Sequence, residues 1–156
     1  PWVEFHLYGQ RQPADFLEYL IRKDGFTHHG IVMPLEKKFV IMEKAHCFVI
    51  PSSFNEEKYR HYRYSFPTKL PELIASGRPI LSYGPKETAT NRILETNNLG
   101  LRIHDRSVTK LVESLETLIC RYQESIMEFA PVTPTILEKF SADSVRSKLR
   151  NILSFN

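Results

Sequence analysis

Glycine and cysteine are scarce in this chain: six glycines and two cysteines in 156 residues, with a single tryptophan. Two cysteines with no short-spacing pattern favour reduced thiols over a disulfide. Cys47 sits in the apolar run "HCFVIP", so two reduced, structural thiols in a cytosolic setting are expected. No apolar run approaches the roughly 18 residues of a membrane span, and no cleavable signal opens the chain. No Gly-x-Ser-x-Gly, P-loop or Gly-x-Gly-x-x-Gly occurs, which speaks against hydrolase, nucleotide-triphosphatase and dehydrogenase readings. Charge of one sign is also lacking. Lys plus Arg number 21 against 18 Asp plus Glu, a net charge of +3. That mild excess suits an anionic ligand or a membrane surface, whereas nucleic acid would call for a denser basic stripe. Only "RHYRYS" (60–65) hints at one, and no nucleic-acid partner is expected.

What the chain does have is alternation. Five apolar, strand-like runs recur at 3–9, 26–32, 47–52, 79–84 and 100–104. Most are continuous rather than alternating, as strands buried on both faces are. Helical patterns lie between them, at 13–23 (Phe16, Leu17, Leu20 and Ile21 on one face), at 34–46 (Leu35, Phe39, Ile41 and Met42 inward) and at 86–98, ending in asparagines. A long tract over 107–129 with Ser107 as N-cap follows, then a break at "APVTP" and a last helix over 141–153 capped by Ser141 or Asp143. Strand–helix alternation implies right-handed βαβ crossovers and an α/β fold. The expected architecture is one Rossmann-like parallel sheet of about five strands with helices on both faces. The single long irregular stretch, 52–67, leaves strand three at the carboxyl edge of the sheet, where open α/β sheets bind ligands.

That stretch runs into "YSFPTKLPELIASGRPILSYGP" (64–85). Thr68 is the expected N-cap of a short helix, Pro71 tolerates a first-turn position that needs no N–H, and Gly77 stops the helix. A helix N-terminus aimed at the sheet edge is an anion mount that Lys69 would reinforce. Glu72, one turn in, can accept hydrogen bonds from a diol such as ribose. On spacing alone, a plain surface pair of Lys69 and Glu72 accounts for the pattern equally well.

The segments "FVIPSS", "YSFPTKLPELIASGRPILSYGP" and "ATNRILETNNLGLRI" together resemble the C-terminal, donor-binding domain of retaining glycosyltransferases with two Rossmann-like domains, the GT-B architecture. Closest is the broad group that builds bacterial polysaccharides and cell-surface glycans. The matching positions are Pro51 and Ser52, then Pro67, Lys69 and Glu72, then Ala75, Gly77 and Pro79, and lastly Gly100. The resemblance runs from about residue 2 to the C-terminus. It implies that Glu72 holds the ribose of a UDP- or GDP-sugar, that the backbone of Ser65, Phe66, Pro67 and Thr68 with Lys69 faces the diphosphate, and that Val32 and Met33 lie near the base. For Val32 and Met33, ordinary core packing is the competing expectation. Lys69 is the expected charge stabiliser, and no cofactor is implied. The acceptor would be a glycan or lipid-linked glycan, met through an N-terminal domain outside this sequence, and the setting would be cytoplasmic or the inner face of a membrane.

Two departures stand out. Many relatives carry a second glutamate eight residues before the ribose glutamate, and here that position is Tyr64. Glu56 or Glu57 could replace it, and Arg60 or Arg63 could reach a phosphate or acceptor. The family's domain also begins with one more strand and a basic loop, so this chain, read by that resemblance, starts at the second strand and would not turn over alone. The alternatives are a sugar-nucleotide epimerase, which shares the architecture, and a non-catalytic interaction module. His28, His29, His46 and His104 have no metal-ligand spacing to Cys or Asp, His6 reads as a core or edge residue of an apolar run, His61 belongs to the long loop, and no metal is expected.

Overall fold

A computed structural model describes residues 3–10, 18–20, 22–123 and 133–153. It contains parallel strands and helices in two compact units, residues 1–44 and 45–156. The first unit holds β1 (Phe5–Tyr8), β2 (Phe26–Gly30) and α1 (Leu35–Lys44). β1 and β2 pair in parallel as a two-stranded sheet. The second unit holds β3 (Phe48–Pro51), α2 (Glu56–Tyr64), α3 (Leu70–Ala75), β4 (Ile80–Tyr83), α4 (Ala89–Thr96), β5 (Leu101–Ile103), α5 (Val108–Gln123), α6 (Pro134–Lys139) and α7 (Ala142–Leu153). Its sheet has the order β3-β4-β5, all parallel. All five strand-like runs are therefore strands, but they form sheets of two and three strands rather than one of five. Among the described residues, no helix is long and apolar enough to cross a membrane.

β4 is the centre of the second unit. Ile80, Leu81 and Ser82 are all buried, as a middle strand of a parallel sheet should be. One core cluster joins Ile80 to Leu70 and Ile74 of α3, Leu94 of α4 and Leu99. Phe48 and Ile50 of β3, with Ile136 and Phe140 of the α6 segment, close over it. The helix stops are local. α4 ends in a Schellman pattern, with Asn98 at φ 51°. The Leu99 amide donates to the Leu94 carbonyl at 2.8 Å and the Asn98 amide to that of Glu95 at 3.1 Å. α3 ends at Gly77 (φ 68°), whose amide donates to the Ile74 carbonyl at 3.0 Å. Ser107 and Ser141 cap α5 and α7, accepting from the amides of Lys110 (3.3 Å) and Ser144 (3.1 Å).

Three expectations need correcting. The stretch 52–67 is not irregular, because α2 occupies its middle. Asn55 caps it, its side-chain oxygen accepting from the Glu57 amide at 3.0 Å. Acidic Glu56 and Glu57 open the helix and His61 and Arg63 close it, the charge order a helix dipole favours. Phe39 of α1 points outward at 52% exposure, while Met42 is buried. Thr68 is not an N-cap: Lys69 takes that position in a helical conformation (φ −83°, ψ −18°) with no side-chain cap. The helix over 13–23 lies largely outside the described residues, 18–20 being helical; the end of the tract over 107–129 lies outside them too.

Gly100 marks the tightest approach to β4. A Cβ built there would lie 2.2 Å from the Ile80 carbonyl oxygen, and φ is +62°. Gly77 has a similar φ of +68° but open space around it. In urea unfolding, Gly77→Ala should cost about 1–2 kcal/mol, the left-handed penalty alone. Gly100→Ala should cost clearly more, because backbone must move. Equal losses at the two positions would refute the close approach.

Candidate functional site

The Lys69–Glu72 segment is mounted by the core described above. Leu70 and Ile74 are buried at 0% and 2% exposure, so one face of α3 is locked against β4. Lys69 is exposed and Glu72 half-buried. The chain enters α3 through a tight turn, with the Leu70 amide donating to the Pro67 carbonyl at 2.9 Å. Thr68 lies inside that turn and the helix start passes to Lys69. The turn also changes the electrostatics. The Leu70 amide is taken, the Ser65 amide donates to the His61 carbonyl at 3.2 Å, and Pro67 and Pro71 carry no N–H. The expected row of amides from Ser65 to Thr68 is thus thinned, and a bound anion would lean chiefly on the Lys69 side chain.

The other expected residues separate into groups. Ser65 and Thr68 are exposed and Pro67 is half-buried. Phe66 lies with its ring 6.2 Å from that of Phe140. Glu56 accepts from the Arg60 guanidinium at 3.3 Å, an exposed i,i+4 pair. The Arg63 guanidinium lies over the Tyr64 ring at 5.6 Å, and the Arg63 carbonyl accepts from the Arg92 guanidinium. Val32 and Met33 belong to the first unit. Met33 is 74% exposed, so core packing does not explain it, whereas Val32 is half-buried.

Two features of the second unit were not foreseen. One is a groove of about 390 Å³ lined by Tyr64, Phe66, Arg92, Ile93, Asn97 and Phe140. The Arg92 guanidinium sits 5.9 Å from the Tyr64 ring centroid, within cation–π range. The other is a polar corner at the carboxyl end of β4. Asn91, 1% exposed, donates its side-chain amide to the carbonyls of Gly84 (3.1 Å) and Pro85 (2.8 Å). Thr88 caps the start of α4 by accepting from the Asn91 amide at 3.3 Å. His104 Nδ1 approaches the Gly84 carbonyl at 3.4 Å. The signal in the sequence was "TATN" after a strand and a "GP" turn, a cap followed three residues later by a polar side chain that faces back into the turn. Among the described residues, no group of three or more His, Cys, Asp or Glu is placed to hold a metal ion. No family model, no curated protein and no solved structure matches the chain.

Both cysteines are free thiols, Cys47 half-buried and Cys120 exposed. Burial pushes the Cys47 thiol from its ordinary 9.0 up to about 11, opposed by a weaker hydrogen bond from the Leu81 backbone. A thiol whose folded value is raised supports the fold below its unfolded value and loses that support as pH rises through the folded one. The stability gap between the wild-type chain and Cys47→Ala should therefore narrow between pH 9 and about 11. Brief iodoacetamide treatment at pH 8, read by mass spectrometry, should label Cys120 and spare Cys47. Equal labelling of the folded chain would contradict the burial.

Proposed function

We propose that this chain is the donor-binding domain of a GT-B glycosyltransferase, with its two small parallel sheets belonging to a Rossmann-like fold. In this reading Glu72 accepts hydrogen bonds from the ribose hydroxyls of a UDP- or GDP-sugar. Lys69 stabilises the charge that develops on the departing diphosphate, which is electrostatic catalysis by a preset cation. The sugar passes, with retention, to a glycan or lipid-linked acceptor. The observation that carries the reading is the mounting of Lys69 and Glu72. They stand three positions apart at the start of a short helix, and Leu70 and Ile74 of that helix are sealed into the core. A merely decorative surface pair needs no such seating. The roles of Val32 and Met33 at the base rest on the sequence resemblance alone.

A non-catalytic interaction module is the second reading. It is favoured by Tyr64, 78% exposed where many relatives carry a glutamate, and by the few amides left at the start of α3.

Calorimetric titration of the full-length protein with UDP and with GDP separates the two. The transferase reading expects one nucleotide to bind preferentially. Glu72→Ala and Lys69→Gln should each weaken that binding at least tenfold, about 1.4 kcal/mol, with unchanged circular dichroism. Absence of binding, or binding indifferent to both substitutions, would remove the donor-site assignment and favour the module.

A further inference from the structure

The first unit carries a histidine cluster that glycosyl transfer does not use. β1 and β2 pair Phe5 with Phe26, His6 with Thr27 and Leu7 with His28, and then the register slips so that Tyr8 pairs with Gly30. His29 is the extra residue. In an unbroken ladder it would stand opposite Tyr8, and the slip draws it back toward His6. Bulges of this kind re-aim a side chain. The His29 ring stacks on Tyr8 with centroids 4.4 Å apart and planes 9° from parallel. Its Nε2 lies 2.8 Å from His6 Nδ1. On the far side of the His6 ring, Nε2 lies 3.2 Å from the Glu4 carboxylate.

Two imidazole nitrogens this close share either a proton or a metal ion. Metal–imidazole bonds are about 2.0–2.1 Å long. Two such bonds meeting at a right angle hold their nitrogens roughly 2.9 Å apart, whereas a tetrahedral angle spreads them to roughly 3.3 Å. The observed 2.8 Å is an imidazole–imidazole hydrogen bond, and the same separation matches adjacent positions of a tetragonal ion, so an ion would displace the shared proton with little movement of the rings. A carboxylate on the outer nitrogen of a ligating histidine sets its tautomer and leaves the inner lone pair for the metal. Glu4 has that relation to His6. The His6 side chain is 40% exposed, so an ion has access.

We propose that His6 and His29 form a two-imidazole site for a tetragonal divalent transition metal, with Glu4 as the positioning residue and water completing the coordination. Cu²⁺ is the occupant the site favours most, since it heads the divalent affinity series and prefers tetragonal nitrogen donors. Linear spacing could not reveal the pair, because 23 residues separate its members and the bulge brings them together.

The test is a Cu²⁺ titration of the full-length protein with electron paramagnetic resonance of the bound ion. One ion should bind with nitrogen hyperfine structure from two imidazoles. His6→Ala and His29→Ala should each weaken it at least tenfold, Glu4→Gln by roughly tenfold, and His28→Ala should leave it intact. The wild-type spectrum tests the ligand set without any substitution, should a variant fail to fold. No bound ion, a spectrum without two imidazoles, or binding that survives loss of both His6 and His29 would overturn the site.

Discussion

The seating of α3 on β4 is the contact from which the second unit is organised. Leu70 and Ile74 meet Ile80 in one cluster with Leu94 and Leu99. Burying such side chains contributes about 1.5–3 kcal/mol each, and all five belong to segments that flank or form the middle strand. β4 can be approached so closely because glycine stands at both of its ends. Gly100 lies against the Ile80 carbonyl and Gly84 against Ser52. The same packing makes α3 a rigid platform: its inner face is committed to the core, and Lys69 at its start is left exposed.

The polar corner at the carboxyl end of β4 continues that platform. Asn91 is buried, and its side-chain amide ties the start of α4 to the Gly84–Pro85 turn through two carbonyls. A buried amide is worth keeping only when its partners are present, so the corner and the strand end are mutually dependent. Rigid elements hold the carboxyl end of the sheet, while Glu56, Glu57, Arg60, His61, Arg63 and Tyr64 of α2 and Phe66 and Lys69 after it are exposed. Rigid frame and exposed polar segment is the division of labour expected where a sheet edge receives a ligand.

Much of this was legible in the sequence because the signals were local. Continuous apolar runs marked all five strands, although burial on both faces holds only for β4, β1 and β2 being exposed or half-buried; Gly77 and the Asn97–Asn98 pair marked helix stops, and Ser107 and Ser141 marked starts. α2 was missed because it has no apolar stripe, and its evidence is only a cap at Asn55 and an ordered set of charges. Thr68 looks like a cap in the sequence but is none, because a turn closed by Pro67 and Leu70 is set by the packing of α3, not by the identity of the residue before it. Phe39 shares the periodic face yet is exposed, because a helical period tells which residues share a face but not whether anything covers it. The pairing of strands into sheets of two and three, the slip that exposes His29 to His6, and the burial of Asn91 are all tertiary. No spacing along the chain encodes them.

The most direct measurement is hydrogen exchange of the full-length protein, followed by mass spectrometry, with and without added UDP or GDP. If α3 is a core-seated mount for a donor nucleotide, the ligand should add protection within residues 65–73, while the amides of β4 exchange slowly in both states. Protection confined to other segments, or slow exchange absent from β4, would contradict the account.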